Sequence, residues 1–239
     1  MPICLNIKQN AIFVADAHFN IKRNELSVFL DLIEQKKINP PQLFLMGDMF
    51  DFLTQESFYF VKQNSTIIKR LNNLSKEIEI IYLEGNHDYN LEKLFPNIEV
   101  ISREKQPLKA YLNKEEIALS HGDNFTPTSY NIYCKIIRNK PLLKFLNAID
   151  FNHWLSCKID KALTKKNICH EFKNFEELVE RRLKNYKTNT VIEGHFHQGK
   201  EYTLDKKRYV NVPSLFCSKA YMVLEEGKFI TQYLTQKKG

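Results

Sequence analysis

Ile80-Ile81-Tyr82-Leu83-Glu84-Gly85-Asn86-His87-Asp88 is a short apolar run that ends in a glycine and three residues able to do chemistry. A run of this length, closed by glycine, predicts a buried strand over 78–83. Gly85-Asn86-His87-Asp88 then falls on the loop at the strand's C-terminal end, where α/β folds place their sites. The same arrangement recurs on both sides. Upstream, Asp16-Ala17-His18 follows a strand over 11–15, and Gly47-Asp48, with Asp51 close behind, follows a strand over 42–46. Downstream, His121-Gly122-Asp123 follows a strand over 116–120, and Gly194-His195-Phe196-His197 follows one over 190–193.

Between the first three strands lie helical patterns. Residues 24–37 place Leu26, Phe29, Leu30 and Ile33 at amphipathic spacing, and residues 56–75 do so with Phe60, Ile67, Ile68, Leu71 and Leu74. Strand alternating with helix implies a parallel sheet covered by helices. The second half is richer in short strands: 107–112 with 116–120 as a hairpin, then 202–205, 208–212, 220–225 and 228–234, the last two turning at Glu226-Gly227. The fold class expected is α/β, a two-sheet sandwich flanked by helices. Residues 1–239 form a single domain, and 126–186, rich in helix formers and without glycine, reads as a helical cap inserted into it.

A chain of 239 residues, 43% hydrophobic and 26% charged, is long and apolar enough to fold as a globule. No apolar run approaches the roughly 20 residues that span a bilayer, and the N-terminus lacks the pattern of a signal peptide. Five cysteines, an odd number with no CxxC pair, predict apolar fillers in a reducing cytoplasm and no disulfide framework.

The motif side chains are carboxylates, an amide and imidazoles, a donor set suited to two divalent cations. Asp48, with two oxygens, is the candidate bridge. Asp16, His18 and His197 complete one shell, and Asn86, His121 and His195 the other. Two such ions, roughly 3.5–4 Å apart, clamp a phosphate and acidify a water. His87, next to a ligand, faces the open side as phosphate stabiliser or proton donor. Asp88 would orient its ring, and Asp51 and Asp123 would stand behind the ligands. A single D-x-H or G-H-x-H is a common accident. Five such motifs in order, each at a strand end, are not. His153 and His170 read as packing or surface residues.

The ordered set D-x-H, GD-x-x-D, GNH-D, HGD and GH-x-H resembles the calcineurin-like metallophosphoesterases from residue 16 to residue 197. The resemblance implies that family's two-sheet α/β sandwich, with the metals at one edge. The insertion after HGD, beginning Tyr130-Asn131-Ile132-Tyr133 and continuing through Lys140-Pro141-Leu142-Leu143, is similar to that of the UDP-2,3-diacylglucosamine diphosphatase branch. That likeness implies cleavage to UMP and 2,3-diacylglucosamine 1-phosphate in lipid A biosynthesis. It implies Mn2+ as cofactor, with Fe, Zn or Co also compatible, and peripheral placement on the cytoplasmic face of the inner membrane. The chain departs from the branch at His87, where arginine is usual, and after Asp123, where Asn124 to Ser129 includes no acidic residue.

The cap adds its own signal. Residues 130–166 carry eight lysines and arginines against two aspartates, a net +6 of the chain's +7, interleaved with Phe145, Phe151, Trp154 and Leu155. Basic amphipathic helices suit an anionic lipid surface or an acidic amphiphile, or else simply pack with solvated lysines outside. Tyr130, Lys158, Lys161 and Lys165, with Asn86 and His87, are the candidate substrate contacts. One arginine among few aromatics argues against nucleic acid, and no obligate protein partner is expected. The competing enzymatic reading is a soluble phosphodiesterase or phosphatase acting on nucleotides or phosphoproteins. The non-enzymatic one is a binding scaffold, disfavoured because all seven ligand positions are intact.

Overall fold

The computed structural model describes residues 5–234. Its strands are β1 (Leu5–Asn6), β2 (Ile12–Val14), β3 (Gln42–Leu45), β4 (Glu79–Leu83), β5 (Glu99–Ile101), β6 (Leu108–Leu112), β7 (Glu115–Ser120), β8 (Thr190–Glu193), β9 (Glu201–Leu204), β10 (Lys207–Asn211), β11 (Ala220–Glu225) and β12 (Lys228–Tyr233). The helices are α1 (Glu25–Glu34), α2 (Phe58–Gln63), α3 (Ser65–Leu74), α4 (Thr128–Ile137), α5 (Lys140–Ile149), α6 (Trp154–Lys165) and α7 (Phe175–Leu183).

The strands form two six-stranded mixed sheets, ordered β1-β6-β7-β8-β10-β9 and β12-β11-β2-β3-β4-β5. Period-two alternation assigns each strand residue to a layer. Phe13, Phe44, Ile81 and Leu83 face Ile117, Leu119, Ile192 and Val210 across the space between the sheets. Phe13 and Phe44 stack there with ring centroids 4.6 Å apart. Ile12, Val14, Leu43, Leu45, Ile80 and Tyr82 point the other way, onto Leu26, Phe29, Leu30 and Ile33 of α1 and Ile67, Ile68 and Leu71 of α3. On the outside of the first sheet, Ala118, Val191 and Tyr209 meet Phe175, Val179 and Leu183 of α7. The two-sheet sandwich expected from the strand pattern is therefore present, with helices on both outer faces.

Register brings the motif loops to one edge. β2, β3 and β4 are parallel, with Val14 level with Leu45 and Leu45 level with Tyr82. β7 and β8 are parallel in the other sheet, with Ser120 level with Glu193. All five motifs thus leave the sandwich at the C-terminal ends of parallel strands. Two short strands, β1 and β5, escape sequence reading because two or three residues show no period. The helical pattern over 56–75 is two helices, broken at Asn64, whose side-chain amide donates back to the Phe60 carbonyl at 2.9 Å. Between β7 and β8, α4, α5 and α6 expose apolar side chains such as Ile132, Phe145 and Trp154, whereas α7 packs into the body.

The cysteine expectation is corrected: Cys169 and Cys217 form a disulfide, and Cys134 and Cys157 are free. Cys4 lies outside the described residues. The bridge joins the segment returning from the cap to the β10–β11 loop, positions 48 residues apart that only the tertiary fold brings together.

Candidate metal centre and active site

Five of the seven candidate ligands sit on backbone in the left-handed region: Asp16 (φ 52°), His18 (44°), Asp48 (53°), His195 (65°) and His197 (60°). Such conformations are uncommon for residues with a Cβ and cluster at functional sites. The glycines beside them admit close approach. A Cβ on Gly85 would lie 2.1 Å from Asp48 Oδ1, and one on Gly47 would lie 2.4 Å from His121 Nδ1.

Two clusters of ligand atoms result: Asp16, His18 and His197, and Asp48, His121 and His195. Asn86 joins the second, its Oδ1 3.2 Å from His121 Nε2. Asp48 connects them. Its Oδ1 accepts from the His87 backbone N–H at 2.8 Å, while its Oδ2 faces His18 Nε2 at 3.8 Å and His121 Nε2 at 3.6 Å. One carboxylate oxygen therefore looks toward an imidazole of each cluster. Asp16 divides its oxygens too. Oδ2 accepts from the His195 N–H at 2.8 Å, and Oδ1, buried without a hydrogen-bond partner, lies 3.3 Å from His197 Nε2.

The imidazoles are held from behind. His121 Nδ1 donates to the Met46 carbonyl at 2.9 Å and His197 Nδ1 to the Ile168 carbonyl at 3.0 Å, leaving each Nε2 as a donor atom to a cation. His18 Nδ1 lies 3.4 Å from Asp51 Oδ1. The ligand atoms of His18, Asp51 and His87 also cluster, but Arg23 and Asn20 already bond the two Asp51 oxygens, both at 2.7 Å.

Charge follows from this packing. Burial opposes ionisation of both Asp16 and Asp48. His197 nevertheless holds Asp16 below the ordinary carboxylate range, and His121, His87 and His18 do the same for Asp48. Against its own burial, His121 is raised to about 9 by the carboxylates of Asp48, Asp16 and Asp123. Burial and the adjacent His121 lower His195 to about 4. Sunken carboxylates, an oxygen with no partner and converging imidazoles are what a divalent cation pair requires, so the donor set fits Mn, Fe, Zn or Co.

One expected role changes. Asp88 does not orient His87. Its carboxylate is buried and accepts from the backbone N–H groups of Asp48 (3.0 Å), Met49 (2.6 Å) and Gly85 (2.8 Å) and from the Tyr82 hydroxyl (2.6 Å). It organises the Asp48 loop, and burial with the nearby Asp48 charge raises it to about 6. His87 is fixed instead through Nδ1 and the Asp51 carbonyl at 2.7 Å, its ring edge-on to His18 at 4.9 Å. Asp123 pairs with Arg103 at 2.9 Å, and its charge is among those that raise His121. Arg103 was not among the sequence candidates, because a lone arginine between strands carries no motif.

Of the cap candidates, Tyr130 is half-buried next to Tyr133. Lys158 lies over the Trp154 ring at 4.0 Å. Lys161 and Lys165 are exposed, and none of these three lysines pairs with a carboxylate among the described residues. His153 packs against Phe58 and Tyr59, and His170 is exposed.

The chain belongs to the calcineurin-like phosphoesterase family, whose model matches residues 10–199. It is accordingly a hydrolase, of a fold that works with divalent metals. Among curated proteins it is similar to the UDP-2,3-diacylglucosamine hydrolase of Wigglesworthia glossinidia brevipalpis, 24% identical over 92% of this chain and 91% of that one. The enzyme of the same name from Pseudomonas fluorescens is 25% identical over 78% of each chain. Among solved structures, a novel archaeal phosphodiesterase superposes with a TM-score of 0.50 at 13% identity, over 94% of this chain and 99% of that one. The E. coli phosphoesterase Yfce does so with a TM-score of 0.51 at 15% identity, over 96% of each. These two likenesses concern the fold.

Proposed function

We propose that this chain hydrolyses the diphosphate of UDP-2,3-diacylglucosamine, giving UMP and 2,3-diacylglucosamine 1-phosphate, with Asp16, His18, Asp48, Asn86, His121, His195 and His197 as ligands to two Mn2+ ions. The observation that carries the metal reading is the single Asp48 oxygen facing both clusters. When bound, such a pair supplies positive charge for the phosphoryl oxygens and an acidified water. The chain's residues do the rest. Asp48 fixes the spacing of the two clusters, Met46 and Ile168 carbonyls hold ligand tautomers, and His87 presents its free ring nitrogen to the leaving oxygen or the phosphate.

The lipid half of the proposal is supported by the names of the relatives and by the cap, residues 126–186. The stretch from α4 to α6 exposes Phe145, Phe151 and Trp154 at 60%, 79% and 63% beside lysines with no carboxylate partner among the described residues, Lys158, Lys161 and Lys165. A cavity of about 180 Å³ between cap and body is walled by Phe19, Phe52, Phe60 and Leu163 and reaches Asp51. Asn20, Gln63, Asn64 and Asp160 also line it, so it is a mixed slot that joins apolar walls to polar ends. No helix among the described residues is long and apolar enough to cross a membrane. The placement proposed is peripheral, on the cytoplasmic face of the inner membrane. The disulfide removes the cysteine argument for a reducing compartment, so that placement rests on the substrate class.

The test is incubation of the purified protein with Mn2+ and UDP-2,3-diacylglucosamine, with mass spectrometry of the products. UMP with the matching lipid monophosphate is expected. Turnover of bis(p-nitrophenyl) phosphate without any UMP would leave the metal site standing and move the substrate to the soluble-nucleotide reading, in which His87 replaces the branch's arginine.

A further inference from the structure

Arg138 ends the first cap helix, α4, yet its side chain is buried in the body. Its Nη2 donates to the Gly85 carbonyl at 2.5 Å, and its Nη1 donates to Glu84 Oε2 at 3.2 Å. Nη2 also lies 3.6 Å from Asp123 Oδ2, and the guanidinium sits 5.0 Å over the Tyr89 ring. In return, the Asn90 side-chain amide donates to the Arg138 carbonyl at 3.0 Å. The acceptors are not scattered. Gly85 C=O belongs to the peptide that leads into Asn86, and Asp123 follows His121 by two residues. The Asn86 and His121 side chains meet in the second cluster at 3.2 Å, and His195 Nδ1 lies at the same distance from His121 Nε2. No contact joins Arg138 to Asp16, His18 or His197 among the described residues.

A planar guanidinium with five donors can bond a carbonyl and two carboxylates at once, which a lysine ammonium on a single stem cannot do with the same geometry. The preceding peptide is held as well, the Gly85 N–H donating to Asp88 Oδ1 at 2.8 Å. The strand-end loop carrying Asn86 is thus clamped between the body and the cap.

We propose that Arg138 is a positioning residue: docking of the cap through this guanidinium sets Asn86 and His121 for the second cation, coupling closure of the substrate cover to assembly of one metal position. This rests on the dinuclear reading above. The selectivity of its contacts makes the first cluster an internal control.

The experiment is stepwise titration of the metal-free full chain with Mn2+, followed by isothermal calorimetry and by the exchange-coupled signal of a Mn2+ pair in electron paramagnetic resonance. Wild-type protein is expected to take up two ions. Arg138→Ala is expected to weaken the second by about 10–100-fold, to leave the first within about threefold of wild type by the same reasoning, and to lose the coupled signal. Arg138→Lys, which keeps the charge and the fold but not the fork, falls between them and serves where the alanine variant does not accumulate folded. Two ions bound by either variant with wild-type affinities, whatever its melting temperature, would make Arg138 a structural brace and overturn the inference. A wild-type protein that binds fewer than two ions contradicts the metal reading itself, and the inference falls with it.

Discussion

His121 and His195 stand in one cluster with opposite charge preferences, and the cause is what each ring meets. Both are buried, which disfavours a proton. His121 faces Asp48 and is raised to about 9, while His195 faces His121 and is lowered to about 4. The raised group stabilises the metal-free fold below its unfolded value of about 6.5, and that contribution is lost as pH rises through 9. The lowered group contributes above about 6.5 and is lost as pH falls through 4. In chelator, thermal stability should therefore decline on both sides of the range just below neutrality. At pH 7 a ligand imidazole still holds a proton, so metal uptake releases it. Calorimetry in buffers of different ionisation enthalpy should show that release, with affinity rising toward pH 9. Uptake without proton release would mean that the carboxylates do not hold His121 protonated in the metal-free site.

The segment that returns from the cap is pinned at three points near the site. The Lys166 carbonyl accepts from Arg23, the Ile168 carbonyl from His197, and Cys169 is bonded to Cys217, whose sulfur lies 3.6 Å from His197 Nδ1. Closing a 48-residue loop stabilises by about 4 kcal/mol in the chain-entropy model. The Cys169→Ser, Cys217→Ser double variant should melt roughly 8–16 °C lower. Calorimetry would show it, and an unchanged transition would mean that the bridge constrains nothing. This element was illegible in the sequence, since neither cysteine has a neighbouring partner and their contact depends on how the cap folds back. The motif strands were legible for the converse reason. Ile80-Ile81-Tyr82-Leu83 and its counterparts are short apolar runs buried on both faces, and the side chains that matter follow within a few residues. Asp88 shows the limit of adjacency. Lying next to His87 in sequence, it does not bond it, because four backbone N–H groups of neighbouring loops and the Tyr82 hydroxyl of β4 claim its oxygens. Arg138 and Arg103 act through carbonyls and carboxylates of distant loops, so no local pattern announces them.

At the scale of the whole molecule, charge and apolar exposure are concentrated in one insertion. A net +6 between residues 130 and 166 lies on the helices that expose Phe145, Phe151 and Trp154. Attraction of about 1 kcal/mol per basic residue near an anionic surface is enough for reversible docking. Cosedimentation with vesicles containing phosphatidylglycerol should be strong at low salt and fall as salt rises. The Phe151→Ser, Trp154→Ser variant should bind at least several-fold more weakly, given the roughly 1.5–3 kcal/mol that each large apolar side chain contributes on burial. Equal binding by wild type and variant would reduce the cap to a solvated helical cover.

The account stands or falls on the ions that Asp48 is held to bridge. Crystals soaked in Mn2+ and measured at the manganese absorption edge should show two anomalous peaks roughly 3.5–4 Å apart, one among Asp16, His18 and His197, the other among Asn86, His121 and His195, with an Asp48 oxygen between them. A single peak, or two with Asp48 bound to only one, would contradict it.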